Sequence, residues 1–331
     1  MKILITGSEG FIGSHLTEKL ISLGYDIRAF IKYNSFNSYG WLDVLPSKTK
    51  DKIDFFLGDI RDPSLVEEAC KDCEAIFNLA SLIAIPYSYK APHSYLQTNA
   101  LGALNIMNAA KNIHNIKVIH TSSSEVYGTA QYVPINETHP LNAQSPYAAT
   151  KIAADQIVKA FNYSFEIPSI IIRPFNTYGP RQSLRAVVPT IISQLLNNNI
   201  KINLGSISPT RDLSFIEDTV SGFIAALNSN IVNGEVFNLG SNFEISIDDL
   251  ANLIGNLFDK KIIINSEEKR VRPKKSEVER LWADITKAKK ILKWEPKYEN
   301  IEGLKSGLLK TINWFKNSKN VDFYKIKNFV L

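Results

Sequence analysis

The stretch Lys2-Ile3-Leu4-Ile5-Thr6-Gly7-Ser8-Glu9-Gly10-Phe11-Ile12-Gly13 decides the fold. Its first five residues include an apolar run of strand length, its glycines are spaced G-x-x-G-x-x-G, and Ile12, Leu16, Leu20 and Leu23 then recur at helical spacing. Strand, glycine turn and helix in that order set bare backbone N–H groups and the positive end of a helix where a pyrophosphate can rest. An ordinary tight turn is the alternative reading, and the flanking strand and helix favour a dinucleotide site. Gly7, Gly10, Phe11, Ile12 and Gly13 are therefore the first cofactor-binding candidates.

Outward from this unit the alternation continues. DIRAFI, DFFLGD, AIFNLA, KVIHTSS and SIIIRPF are continuous apolar runs, separated by helical segments such as LVEEAC and the stretch from Tyr95 to Ala110. Strands buried on both faces of a parallel sheet read this way. The expected fold is an α/β doubly wound parallel sheet with a smaller C-terminal α+β lobe. After Pro180 the pattern changes, with VVPTIISQLL as a helix and KINLG as a strand; LSFIEDTVSGFIAAL and EVFNLG then read as helix and buried strand. This assigns residues 1–180 plus about 213–240 to the dinucleotide-binding domain, and about 181–212 plus 241–331 to the substrate lobe. The tail WFKNSKNVDFYKIKNFVL reads as a surface helix and arm.

Composition narrows the function. The 331 residues fit two domains at roughly 100–200 residues each. Lys and Arg number 38 against 33 Asp and Glu, a net charge of +5, without an aromatic-interleaved basic block. Nucleic acid is an unexpected partner, and anionic small molecules fit. No apolar run reaches the ~18 residues of a membrane helix, and a strand at Lys2 leaves no room for a signal peptide, so the chain reads as cytosolic. Cys70 and Cys73, the only cysteines, have no second pair or nearby His to complete a zinc site, so no metal is expected. They read as two small apolar residues near a helix end.

Other residues carry chemistry. Tyr147 and Lys151 are spaced i and i+4 in SPYAATK and share one helix face. A lysine ammonium beside a phenol favours phenolate, which makes Tyr147 a base for a sugar or alcohol hydroxyl. The hydroxyls of Thr121 to Ser124 end the preceding strand at its crevice edge. Glu125 follows them, either as a general base or as a helix-starting acid facing a dipole. The second strand ends in Ile31, Lys32 and Tyr33 where an acid usually accepts the ribose 2′-hydroxyl of NAD. Lys32 either meets the 2′-phosphate of NADP or is a solvated lysine, so NAD and NADP both stay open. Asp59, with Ile60, is placed to meet the adenine amino group.

Taken together, TGSEGFIG, FNLAS, HTSSSEVYG, SPYAATK and RPFNTYGPRQ resemble the extended short-chain dehydrogenase/reductase family, in the branch that modifies sugar nucleotides. The resemblance covers nearly the whole chain. It implies a Rossmann domain, a C-terminal substrate lobe, a nicotinamide cofactor recycled in each turnover, and a homodimer through a four-helix bundle. It also implies that Leu79, Ala80, Ser81 and Asn99 line the cofactor, with Ser81 near the nicotinamide ribose. Ser123-Ser124-Glu125 resembles the triplet of 4,6-dehydratases, since epimerases of this type usually carry small residues there. That likeness implies that Tyr147 takes the 4-hydroxyl proton, Glu125 removes the C5 proton, water leaves from C6, and hydride returns to C6. dTDP-glucose dehydratases place Asp before the Glu as the acid for the departing hydroxyl; this chain has Ser124, so that acid stays unassigned, with Ser123 and Ser124 as hydrogen-bond partners.

YNSFNSYGWLD, SLIAIPYSY, GTAQYVPINETHPL and SPTRDLSFIEDTV look like the legionaminic-acid-pathway 4,6-dehydratases, which act on nucleotide-linked N-acetylglucosamine. By that resemblance Asn176, Arg185, Arg211 and Arg272 hold the sugar nucleotide, chiefly its diphosphate, and Glu277 contacts the ribose. Ile85, Pro86 and Tyr87, in a loop over the sugar, exclude water from a keto intermediate. Arginine suits phosphate because its fork of donors matches two oxygens, although each arginine also reads as a salt-bridge residue. A 4-epimerase, a UDP-glucuronate decarboxylase and a cofactor-sensing regulator are the alternatives.

Overall fold

The computed structural model describes residues 1–324. Six strands come first: β1 (Lys2–Thr6), β2 (Asp26–Lys32), β3 (Ile53–Gly58), β4 (Ala75–Asn78), β5 (Lys117–Thr121) and β6 (Ser169–Pro174). β7 (Asn176–Tyr178), β8 (Lys201–Leu204), β9 (Thr210–Phe215), β10 (Asn233–Leu239), β11 (Glu244–Ser246), β12 (Ile263–Ser266) and β13 (Arg280–Leu281) follow. Seven of them form one sheet in the order β10-β6-β5-β4-β1-β2-β3, with every pairing parallel. Alternate residues of each strand enter opposite apolar layers, Ile3 and Ile5 one and Leu4 the other, Ile170 and Ile172 one and Ile171 the other. Helices Phe11–Ser22 and Ile216–Asn228 pack together on one face; Pro63–Cys70, Gly102–Lys111 and Pro146–Phe165 pack in succession on the other. The strand order reverses between β1 and β4, which opens a crevice at the carboxyl ends of the strands.

β7 follows β6 after Phe175 alone and leaves the large sheet for a small one, in which β9 pairs with β7, β11 and β13. Asn176 stands at this crossing. β8 and β12 form a separate parallel pair. β10 returns to the edge of the large sheet, where it lies beside β6.

Four local expectations change. SLIAIPYSY is not a loop throughout, because Ile85–Lys90 closes into a short helix with Pro86 in its first turn, where a missing N–H costs nothing. Leu213, Ser214 and Phe215 belong to strand β9, and the helix begins only at Ile216. The helix before Ala110 starts at Pro92 and runs through a π-type turn at Leu96–Leu101. The tail is also no free arm as far as Tyr324, which stacks on Phe315, meets Trp41 edge-on and donates to the Gln182 carbonyl at 2.8 Å. Its remainder, 325–331, lies outside the described residues.

Candidate active site

The turn after β1 is shaped for close approach. Gly7 has φ +68°, and a Cβ there would lie 3.0 Å from the Ala80 backbone nitrogen; one on Gly13 would lie 2.2 Å from the Gly7 carbonyl oxygen. Helix Phe11–Ser22 begins without a side-chain cap or an acid in its first turn, so its leading N–H groups stay available to an anion. Thr6 Oγ1 accepts the N–H groups of Leu79 and Ala80 at 3.1 and 3.0 Å, which fixes the exit of β4 beside the turn. A cradle that only glycine allows, facing an uncapped helix, fits a dinucleotide pyrophosphate.

Beyond the turn, Lys32, Tyr33, Gly58, Asp59 and Arg61 help line an open cavity of about 490 Å³ at the ends of β2 and β3. Asp59 is held by Arg61, whose Nε donates at 2.9 Å and lowers the carboxyl below its ordinary range. Ile60 is buried and packs against Gly102. Glu9, which no local pattern sets apart among the glycines, reaches the end of β2, where its Oε1 accepts the Lys32 N–H at 3.1 Å.

Helix Pro146–Phe165 carries Tyr147 and Lys151. Ser145 caps it, accepting the Ala148 N–H at 3.1 Å, and Pro146 occupies its first turn. This start fixes the phase of Tyr147 and Lys151, both buried. Lys151 Nζ donates to the Thr121 carbonyl at 2.6 Å and to Ser81 Oγ at 3.4 Å. Ser81 in turn donates to Asn99 Oδ1 at 2.9 Å, and the Asn99 amide donates to Thr150 Oγ1 at 3.1 Å. The π-type turn is what carries Asn99 into this chain of contacts. Ile85 and Tyr95 pack on Tyr147 as an apolar wall, while Pro86 is half-buried and Tyr87 is exposed beyond it.

The expected depression of the Tyr147 pKa is not produced by the chain's own groups. Burial pushes the phenol up, the nearby Glu125 charge adds to the rise, and only the Ser123 hydroxyl lowers it. Burial also pushes Lys151 down, to about 8. The ammonium form is thus lost as pH rises through about 8. If charged Lys151 is required, kcat/KM falls on the alkaline side above that pH, and Lys151→Arg, which does not titrate there, flattens that limb. A pH–rate profile that ignores the substitution would remove Lys151 from the titrating role.

Glu125 is buried in the tight turn Ser124–Tyr127 directly after β5. Its N–H donates to Ser123 Oγ at 3.2 Å. Ser124 is buried beside it. Ser122, by contrast, is engaged elsewhere, donating to Asp155 Oδ2 at 2.8 Å. Arg272 Nη1 lies 3.6 Å from Glu125 Oε1 and 3.6 Å from Glu277 Oε1, and Arg211 Nη2 lies 3.4 Å from the same Glu277 oxygen. Arg211, Arg272, Glu277 and Glu125 therefore form one charged strip between the lobes. Arg272 Nη1 and Asn176 Oδ1 are buried with no hydrogen-bond partner among the described residues, which leaves them capacity for a ligand. Arg185 is exposed, and its charge reaches Tyr95.

Behind the site, Arg173 grips Asp155 Oδ2 through Nε at 3.1 Å and Nη2 at 2.8 Å, and also donates to the Tyr127 hydroxyl at 2.9 Å. Sequence reasoning missed this pair, although Asp155 follows Lys151 by one helical turn. Among the described residues no cluster of three or more His, Cys, Asp or Glu could hold a metal, and no helix is long and apolar enough to cross a membrane.

Residues 4–306 match the family described as GDP-mannose 4,6 dehydratase. The chain is 32% identical over 321 residues to a putative UDP-glucose 4-epimerase of Methanocaldococcus jannaschii, covering 96% of this chain and 99% of that one. Its structure is similar to that of UDP-glucuronic acid 4-epimerase from Bacillus cereus, solved with UDP-glucuronic acid and NAD, at 29% identity and a TM-score of 0.84 over 96% of this chain and 99% of that one. It is also similar to dTDP-glucose 4,6-dehydratase from Bacillus anthracis, solved with NAD, at 27% identity and a TM-score of 0.83 over 98% and 99%. With its parallel sheet, glycine cradle and Tyr147–Lys151 face, the chain belongs to the GDP-mannose 4,6 dehydratase family, within the extended short-chain dehydrogenase/reductases that act on sugar nucleotides.

Proposed function

We propose that this enzyme is a sugar-nucleotide 4,6-dehydratase that turns nucleotide-linked N-acetylglucosamine into its 4-keto-6-deoxy product. The observation that carries this reading is the buried carboxylate of Glu125 beside Tyr147. Moving a proton on and off a 4-hydroxyl needs one base, and a second buried base in the crevice needs a second proton to move. A bound NAD or NADP, held by the glycine cradle, Ser81, Asn99 and Lys151, would supply a hydride acceptor for C4 and a donor for C6. Tyr147 takes the 4-hydroxyl proton. The 4-keto group acidifies C5–H; Glu125 removes that proton and passes it to the 6-hydroxyl, which departs as water, and C5 regains a proton as C6 is reduced, balancing the one that Tyr147 took. Ser123 hydrogen-bonds Tyr147, and Ser124 lies beside Glu125 as a partner for the departing hydroxyl. Arg211, Arg272 and Asn176 take the diphosphate, with Arg185 on the sugar side, Glu277 at the nucleoside and Ile85, Pro86 and Tyr87 excluding water.

The test is incubation of GDP- and UDP-N-acetylglucosamine with the purified chain, read by mass spectrometry and proton NMR. Loss of one water with a new C6 methyl doublet is the expected result for at least one nucleotide. An isomer of unchanged mass would make the enzyme a 4-epimerase, a reading that the relatives named above also support.

The proposal includes a homodimer through helices 96–111 and 146–165, where Leu96 and Leu101 are exposed apolar residues. Leu101→Glu is expected to shift the protein to monomer in light scattering, and a parent chain that is itself monomeric would remove the dimer.

A further inference from the structure

The end of β2 is where dinucleotide folds commonly present an acid to the adenosine ribose, and this chain has Lys32 there. A carboxylate nevertheless stands at that point, delivered from the glycine turn. Glu9 Oε1 accepts the Lys32 N–H, and Oε2 is buried without a partner among the described residues. The segment after β2 holds Glu9 in place. The Trp41 N–H donates to the Glu9 carbonyl at 3.0 Å, and Gly40, at φ +57°, comes so near that a Cβ on it would lie 3.0 Å from Glu9 Cβ.

We infer that Glu9 selects the cofactor, accepting the adenosine ribose 2′-hydroxyl of NAD and excluding the 2′-phosphate of NADP. A buried carboxylate oxygen without a donor is unfavourable, and a hydroxyl brings the missing donor whereas a phosphate dianion brings only like charge. The neighbouring cations do not reverse this. Arg61 is committed to Asp59 through Nε and Nη2. Burial pushes the Glu9 carboxyl up, and the Lys32 charge, in ion-pair contact with neither, acts on both Glu9 and Asp59 in the opposite sense. Two carboxylates against two cations leave no surplus positive charge for a dianion. The charge of the lysine that replaces the usual strand-end acid is thereby offset by two nearby carboxylates.

The inference rests on the proposed nicotinamide cofactor and is independent of which sugar reaction the cofactor serves. Its test is calorimetric titration of the nucleotide-stripped chain with NAD and with NADP, with circular dichroism to verify folding of each variant. The parent chain should prefer NAD by roughly 10- to 100-fold, the worth of a hydrogen bond to a charged acceptor, and Glu9→Gln should remove most of that preference. Glu9→Ser reads the same ratio if the glutamine variant does not fold. Tighter NADP binding by the parent, above all if Lys32→Ala abolishes it, would overturn the inference. So would an unchanged ratio in a folded Glu9 variant. Binding of neither dinucleotide would remove the cofactor reading itself and the inference with it.

Discussion

Glu125→Gln is expected to cut dehydrated product by about 10²–10⁴-fold, the usual contribution of a positioned base, while leaving oxidation at C4 in place. The reason is local. Glutamine keeps the size of the side chain, and the turn is held by the Ser123 hydroxyl bonded to the residue 125 N–H, a contact that survives the change. Lys151 and its contacts to Thr121 and Ser81 are likewise untouched, while Tyr147 loses a nearby negative charge that adds to the upward push of burial on its phenol, and Arg272 keeps Glu277. An amide cannot take the C5 proton, so the reaction halts between its two hydride transfers. Substrate added to the variant should raise the near-ultraviolet absorbance of reduced nicotinamide toward one equivalent per site, with no C6 methyl signal in the NMR spectrum. A variant that makes product at the parent rate would sink the dehydratase reading, and an isomer of unchanged mass would assign Glu125 to structure.

The other large effect is on stability. Asp155 and Arg173 are both fully buried, paired at 2.8 Å, and supported by Ser122 and Tyr127. His120 lies 3.8 Å from the second Asp155 oxygen but is held neutral by burial and by the Lys151 charge, so it cannot substitute for the arginine. Arg173→Met therefore leaves an unpaired buried carboxylate, with an expected loss of about 3–5 kcal/mol. That is a large part of the ~5–15 kcal/mol that holds a typical domain. Adding Asp155→Leu removes the orphaned charge, and the double variant should recover much of the loss. Urea unfolding at neutral pH measures both. A single variant within about 1 kcal/mol of the parent would show that water or a neighbour relieves the charge.

The large sheet was legible because its strands are buried on both faces and so are written as continuous apolar runs. KILIT, AIFN and SIII need no partner sequence to be recognised. The shared helix face of Tyr147 and Lys151 was legible because the two sit one helical turn apart. What escaped is long-range. Arg272 meets Glu125 from the other lobe, Arg173 meets Asp155 from a neighbouring strand, and Glu9 meets Lys32 across the first helix. Such pairings depend on sheet order and lobe docking, which no local period encodes. The helix at Ile85–Lys90 was hidden for a different reason: its apolar residues and Pro86 suit a packed loop as well as a short helix.

β10 closes the large sheet but arrives roughly sixty residues after β6, beyond the whole first excursion into the other lobe. During synthesis at about 5–20 residues per second, β6 therefore waits some 3–12 s for its neighbour. For that interval Ile170, Ile171 and Ile172 form the open rim of a nascent sheet, an apolar strand with unpaired N–H and C=O groups of the kind that captures other chains. A ribosome-bound chain halted between β6 and β10 should thus be the most aggregation-prone and chaperone-dependent stage of its making, and release past Leu239 should end that vulnerability.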